Sequence, residues 1–315
     1  MKKTKPSTKI DRKPLGQRIR QDLYRHWGVY VLAIPMVLFY LIFCYFPMYG
    51  AVIAFQDYNP WTGFAGSEWV GFKHFVNFFE MPAWTTYVWN TLRISLTSLL
   101  VTYPLTIVLA LAFNNLPNRR FRKTSQTIFY MPHFVSVVVL IGIIQVFTNN
   151  EMGAINRFLG WLGMQPIDFS TAEAFLPTYI LSSVWTGIGW GTILYTSTLT
   201  AIPPELYEAA MIDGASKMQR VRYIDLPALM PVLSVSMIMS IGGLLGVGYE
   251  KVLLMQTANN ISVSEILSSY TYKVGILGSN FSFSAAIGFI SAIVNSILMT
   301  LANFVSKKLS GSSLW

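Results

Sequence analysis

The stretch Pro203-Pro204-Glu205-Leu206-Tyr207-Glu208-Ala209-Ala210-Met211-Ile212-Asp213-Gly214-Ala215-Ser216-Lys217-Met218-Gln219-Arg220-Val221-Arg222-Tyr223-Ile224-Asp225-Leu226-Pro227 is polar and sits between two long apolar segments. Its local grammar is helical. Pro204 suits a first helical position, where a missing N–H costs nothing. Glu205 and Glu208 place negative charge near the positive end of the helix dipole. Leu206, Ala209, Ala210 and Asp213 recur at roughly helical spacing. Gly214 is the natural break, because a tight reversal often needs a residue that tolerates positive φ. A second short helix is expected over 216–224, carrying Lys217, Arg220 and Arg222. It is expected to end before Pro227, which biases Leu226 away from helix. The stretch therefore reads as two short helices at an angle, in or below a membrane surface.

The membrane follows from composition. Of 315 residues, 53% are hydrophobic and only 12% are charged, against about 25% charged in a soluble domain. Six spans are expected near Tyr30–Phe55, Asn90–Phe113, Ile128–Phe147, Tyr179–Ala201, Leu229–Val247 and Ala285–Val305. Each approaches or exceeds the ~20 residues a helix needs to cross the hydrocarbon core. Alternating strand patterning is absent, and lipid demands internally satisfied backbone, so the fold class is an all-α membrane protein. The domain division is a basic cytoplasmic tail, 1–26, and a six-span domain, 27–315, with the loop 203–227 inside it.

Charge distribution orients the spans. Basic residues cluster in the tail, at Arg119, Arg120, Arg122 and Lys123, at Lys217, Arg220 and Arg222, and at Lys307 and Lys308. The opposite loops hold only Lys73, Arg157, Lys251 and Lys273. Both termini and the loop at Gly214 are thus expected in the cytoplasm of a cell-membrane protein. The net charge of +9 follows the membrane and does not point to nucleic acid. The single cysteine, Cys44, reads as a buried small apolar residue. His26, His74 and His133 are too far apart in topology to form a metal cluster. No nucleophile–base set, metal spacing or phosphate-cradling loop is present, so the chain reads as a non-enzyme with no catalytic residue and no cofactor of its own.

Glu208-Ala209-Ala210, three residues, Gly214, nine residues, then Ile224-Asp225-Leu226-Pro227 resembles the EAA loop of ABC-importer permeases, and every fixed position of that pattern is filled. The resemblance implies a type I ABC importer fold. It implies a coupling helix that docks into a cleft on a separate ATPase chain, where ATP and Mg would be held. On it, Glu208 contacts the ATPase, Ala209 and Ala210 allow close approach, and Gly214 sets the angle. Ile224, Leu226 and Pro227 close the loop and pass motion to the fifth span. A second, related permease in a heterodimer, two ATPase subunits and an extracellular sugar-binding protein are the implied partners.

Other segments narrow the resemblance. Trp69-Val70-Gly71-Phe72-Lys73-His74-Phe75, with Asn90-Thr91-Leu92 beyond it, looks like the start of the permease core in sugar importers. Tyr45-Phe46-Pro47-Met48-Tyr49-Gly50, Phe55-Gln56-Asp57-Tyr58-Asn59-Pro60 and the ending Leu314-Trp315 are similar to the subgroup serving complex oligosaccharides and polysaccharide fragments. Oligosaccharide is the expected cargo. Amino acids, peptides or polyamines are the alternative, because the EAA loop is cargo-blind. An ion-coupled secondary transporter is a rival of another class, and predicts intramembrane acids and repeated halves.

Sugars bind through aromatic faces and dense hydrogen bonding, so Trp185, Trp190, Tyr195, Tyr249, Glu250 and Asn295 are candidate pathway residues. Packing in lipid explains Trp and Tyr equally well. Glu250, at the edge of an apolar segment, is either functional or paired with Lys251 or another interfacial partner. Asn295 reads as packing glue or as pathway lining, and His133 as locally satisfied. Gly187/Gly191 and Gly242/Gly246 read as close helix packing. The aromatic stretch 56–89 is expected to hold an amphipathic interfacial helix.

Overall fold

The computed structural model describes Gly16 and residues 23–150, 152–311 and 313–315. Most of the basic tail, and with it the reading of 1–26, lies outside the described residues. The chain divides into two compact units, with the boundary between Val52 and Ile53.

In the first unit, α1 (Trp27–Tyr40) runs through a π-turn at Leu41–Tyr45 into further helical turns. None of the described side chains of α1 is buried, and Cys44 is exposed. The expectation of a buried cysteine fails because a lone apolar rod has no neighbouring helix within its own unit to cover it.

The second unit opens with a two-residue antiparallel ladder, β1 (Gln56–Asp57) on β2 (Glu68–Trp69). This is the one departure from all-helical structure among the described residues. Asp57 faces α2 (Lys73–Glu80), the expected amphipathic helix. There it accepts a hydrogen bond from Lys73 Nζ at 2.7 Å and approaches His74 Nε2 at 2.9 Å. Then follow α3 (Trp84–Asn114), α4 (Arg119–Tyr130), α5 (Val137–Phe147), α6 (Ala154–Trp161) and α7 (Ala172–Thr200). Beyond them come α8 (Pro204–Ile212), α9 (Lys217–Arg220), α10 (Leu226–Gly242), α11 (Tyr249–Met255), α12 (Leu267–Tyr272) and α13 (Phe281–Ser310).

Among the described residues, four helices are long and apolar enough to cross a membrane: Trp27–Phe55, Trp84–Asn114, Lys217–Gly242 and Phe281–Lys308. The expected third span is not straight. Arg119–Phe134 and Val137–Phe147 meet at 99°, and counted together they make a fifth. The 3₁₀ turn Met131–Phe134, with Pro132 in it, gives way to extended backbone at Val135 and Ser136, and Ser136 then caps α5. At 11 residues α5 is about 16 Å long, too short to cross the hydrocarbon core alone. The expected fourth span lies inside α7. That helix is long enough at 29 residues, but its Ser, Thr and Gly content leaves it less apolar than the others.

Three apolar clusters hold this unit together. Ile94, Phe175, Tyr179, Ile180, Val252 and Ile266 join α3, α7 and α11. Phe78, Leu245, Leu267 and Ile287 tie α2, α12 and α13. Ala110, Tyr195, Leu199 and Leu229 lock α3, α7 and α10 together at the end nearest α8. Tight approach rests on one glycine of each sequence pair, Gly191 and Gly242, and on Gly189. A side chain at Gly189 would meet the Phe129 carbonyl oxygen, one at Gly191 would meet Thr106, and one at Gly242 would meet Met299. Gly187 is open, and Gly246 lies beyond the end of α10. Packing without bulk is the usual device where lipid supplies no hydrophobic drive between helices.

Candidate functional site: the loop between α7 and α10

The stretch 203–227 folds as two short helices around Gly214. Pro204 stands in the first turn of α8, and Glu205 is the acid beside it. The helix ends in a Schellman arrangement: the Ala215 N–H donates to the Ala210 carbonyl at 2.8 Å, and the Gly214 N–H to that of Met211 at 3.1 Å. This ending needs a left-handed residue just past the cap, and Gly214 has φ +75°. Ser216 then caps α9 in a capping box with Gln219, which satisfies two backbone donors reciprocally. The turn angle is thus fixed from both sides.

The second half corrects the sequence reading. α9 does not stop before Pro227. Lys217–Gly242 is one continuous helix of 26 residues. Leu226 is helical at φ −62° and ψ −46°, and Val221–Asp225 forms a π-turn. The wider turn resolves the conflict: one extra residue is let into the coil just ahead of Pro227, whose ring clashes with the preceding turn of a regular α-helix and whose backbone lacks a donor.

The side chains sort by exposure. Glu208 and Ala209 are exposed, Ala210, Ile224 and Leu226 are half-buried, and Pro227 is exposed. Leu206, Met211, Ile212 and Met218 also stand out, with Ile212 87% exposed. The sequence reading passed over three residues that hold the loop down. Asn114 Nδ2, at the end of α3, donates to Tyr207 Oη at 3.4 Å. Tyr207 Oη donates to Asp225 Oδ1 at 2.6 Å. Burial first, and the bond to Asp225 second, push the Tyr207 phenol up to about 12, so it remains a donor at every physiological pH. Asp225 is 1% exposed, and its other oxygen has no partner among the described residues. The signal was available: a lone acid at the threshold of an apolar span is a functional candidate.

The pathway candidates do not converge on one place. Trp185 borders an apolar cavity of about 350 Å³ with Phe147 and Leu181. Trp190 stacks on His133 at 4.4 Å, which gives that histidine the local role expected of it. Tyr195 is buried in the core cluster and hydrogen-bonds Ser236 Oγ at 3.0 Å. Asn295 accepts the Leu245 N–H at 3.1 Å, which makes it packing glue between α13 and the end of α10. Glu250 is exposed and does not pair with Lys251, because Lys251 turns the other way. Its Nζ donates to Tyr179 O at 2.9 Å and to Ser183 Oγ at 2.6 Å, and lies 4.1 Å from the Tyr179 ring centre.

Tyr249 stands apart from these. It stacks on Tyr272 at 4.7 Å and 17°. The two rings line a cavity of about 390 Å³ together with Ser268, Thr271, Ser284 and Ser291. Six of its ten lining residues carry hydroxyls and none is charged. This cavity is beyond the far end of α10 from the loop. Among the described residues, no group of three His, Cys, Asp or Glu side chains is placed to hold a metal ion.

Residues 102–311, which include the whole loop, match the family model described as the binding-protein-dependent transport system inner membrane component. The chain belongs to this family. Its members are membrane-spanning permease subunits, transport components and not enzymes. The polygalacturonan/rhamnogalacturonan transport system permease protein of Bacillus subtilis (strain 168) is 38% identical over 307 residues, 97% of this chain and 96% of that one. The arabinooligosaccharides transport system permease protein of the same organism is 31% identical, over 90% and 88%. Among solved structures, a chain of a bacterial alginate ABC transporter, in complex with its alginate pentasaccharide-bound periplasmic protein, superposes with a TM-score of 0.85. It is 32% identical over 94% of this chain and 100% of that one. The permease is thus similar over nearly its full length to permeases named for saccharides.

Proposed function

We propose that this permease carries oligosaccharides, fragments of larger polysaccharides, into the cytoplasm, driven by ATP hydrolysis on a separate ATPase. One observation carries the coupling half of this reading. The loop 203–227 is polar in sequence yet presents Leu206, Met211, Ile212 and Met218 to solvent. They stand in the same loop as the exposed Glu208, on a frame fixed by a Schellman ending and a capping box. Exposed apolar side chains on a rigid projection mark a protein–protein contact. The occupant is the ATPase, which also holds the ATP and Mg. Glu208, Ala209, Ala210 and Gly214 shape the docking helix, while Ile224, Leu226 and Pro227 lie on the helix that carries its motion onward.

The cargo half rests on relatives named for polygalacturonan, arabinooligosaccharides and alginate, and on the uncharged, hydroxyl-rich cavity at Tyr249. Paired aromatic faces and hydroxyls suit a polyol better than an ammonium or a peptide backbone. A second permease of the same family, a second ATPase and an extracellular sugar-binding protein complete the assembly. The chain crosses six times with both termini inside, its third crossing bent at Phe134 and its fourth provided by α7.

The test is co-purification from native membranes, comparing the wild type with Ile212→Glu. The wild type is expected to retain an ATPase, a second permease and a sugar-binding protein, and the variant to lose the ATPase. An ATPase retained equally by both refutes docking through this surface. A binding protein that takes amino acids or peptides and no saccharide refutes the cargo.

A further inference from the structure

α4 carries Arg119, Arg122, Lys123, Gln126 and Tyr130 on one face, the i, i+3, i+4, i+7, i+11 series of a helix. All five line a single cavity of about 360 Å³, closed by Asn114 from the end of α3 and by Thr196, Ser197 and Thr200 from the end of α7. Phe113 and Ile193 give it an apolar wall. No acidic residue lines it. Among the described residues, Arg119, Arg122 and Lys123 form no ion pair, and the polar ends of Gln126 and Tyr130 have no hydrogen-bond partner. Three like charges at such spacing repel one another.

Topology alone does not explain this arrangement. The positive-inside preference asks for basic residues near a span end, and Arg120 meets it from outside the cavity. It does not ask that three cations, an amide and a phenol converge on one space with a greasy wall. Such a set fits a phosphate group: guanidinium forks and an ammonium for the oxygens, neutral donors for the ester edge, and Phe113 and Ile193 for the adjoining hydrocarbon. Basic pockets between helices at a membrane face are where anionic headgroups bind.

We propose that this cavity binds a phosphate group, that of an anionic phospholipid headgroup. The assignment stands apart from the cargo and from the ATPase. It has a consequence for the loop, because Asn114, one wall of the cavity, donates to Tyr207 of α8. An occupied cavity orients the amide that tethers the coupling helix.

The test uses the full chain, purified with the partner subunits it carries and placed in vesicles of phosphatidylcholine. Three arms are compared: phosphatidylcholine alone, one quarter replaced by phosphatidylglycerol, and phosphatidylcholine with inorganic phosphate. Phosphatidylglycerol is expected to raise the thermal midpoint by several degrees and to stay bound through delipidation, as read by native mass spectrometry. An equal rise with inorganic phosphate alone assigns the site to a soluble anion and overturns the lipid source. No rise in either arm overturns the proposal. The triple variant Arg119→Gln, Arg122→Gln, Lys123→Gln is expected to lose retention at least tenfold. Because it also alters the charges that set topology, Ser197→Phe is the second variant: it fills the cavity and leaves every charge in place. Wild-type retention of phosphatidylglycerol by Ser197→Phe overturns the assignment of this cavity.

Discussion

The two ends of α10 are built on different principles. At the loop end, backbone chemistry decides: a left-handed glycine, a reciprocal cap and a π-turn fix the geometry within a few consecutive residues. At the far end α10 stops at Gly242, and the geometry is set by side chains distant in sequence, with Tyr249 on Tyr272 and Leu245 held by Asn295. The first end is a rigid handle, the second a surface shaped by packing. A handle fails all at once when a single residue is wrong, whereas a packed surface degrades by steps.

The sharpest way to break this contrast is Gly214→Val. A β-branched residue at φ +75° is strained by about 1–3 kcal/mol, and the angle between α8 and α9 cannot be kept. Uptake is expected to fall to background with normal insertion. Normal uptake by a well-expressed variant would remove the loop from the mechanism. Next in size is Tyr207→Phe, which keeps the ring and deletes the bond to Asp225. Leaving a buried acceptor without its partner costs about 1–3 kcal/mol, so uptake is expected to drop by at least tenfold while ATP hydrolysis by the assembled complex persists. Uptake and hydrolysis falling in parallel would point to loss of fold instead. Tyr249→Ala tests the far end: a several-fold loss of uptake is expected with assembly unchanged, and equal loss of assembled complex would make the stack mere packing.

The smallest effect is expected at Asp57. Its hydrogen bond with Lys73 holds its carboxyl below the ordinary value, and Lys73 is raised in return. A depressed acid contributes stability above its unfolded pKa and loses it as pH falls through the folded one, so this contribution disappears below about pH 4. Lys73 acts oppositely, losing its part as pH rises through its raised value. Both groups are open to solvent and screened. Asp57→Asn is therefore expected to shift the thermal midpoint by about a degree or less near neutral pH and by nothing measurable in acid. A larger shift would reveal that the β1–β2 ladder depends on this pair.

What the sequence made legible follows the same contrast. Gly214, the first turn at Pro204 and the loop's two-helix form could be read because local residues determine them. The continuity of α9 with α10 could not, since Pro227 announces a break and only the π-turn shows how it is absorbed. Glu250 drew attention as an acid near the membrane, yet the inward-turning neighbour is Lys251, a choice made by Tyr179 and Ser183 some seventy residues away. Cys44 was expected to be buried on residue type alone, and burial needs neighbours that composition does not reveal. The bend after Pro132 could not be read, because apolar content joins what the backbone divides.

The unbroken helix Lys217–Gly242 has a mechanical meaning. Its 26 residues make a rod about 39 Å long, so a tilt of about 10° at one end sweeps the other through roughly 7 Å. On the proposed coupling, a modest displacement of α9 becomes a stroke about as wide as a single sugar ring at the far end of that helix.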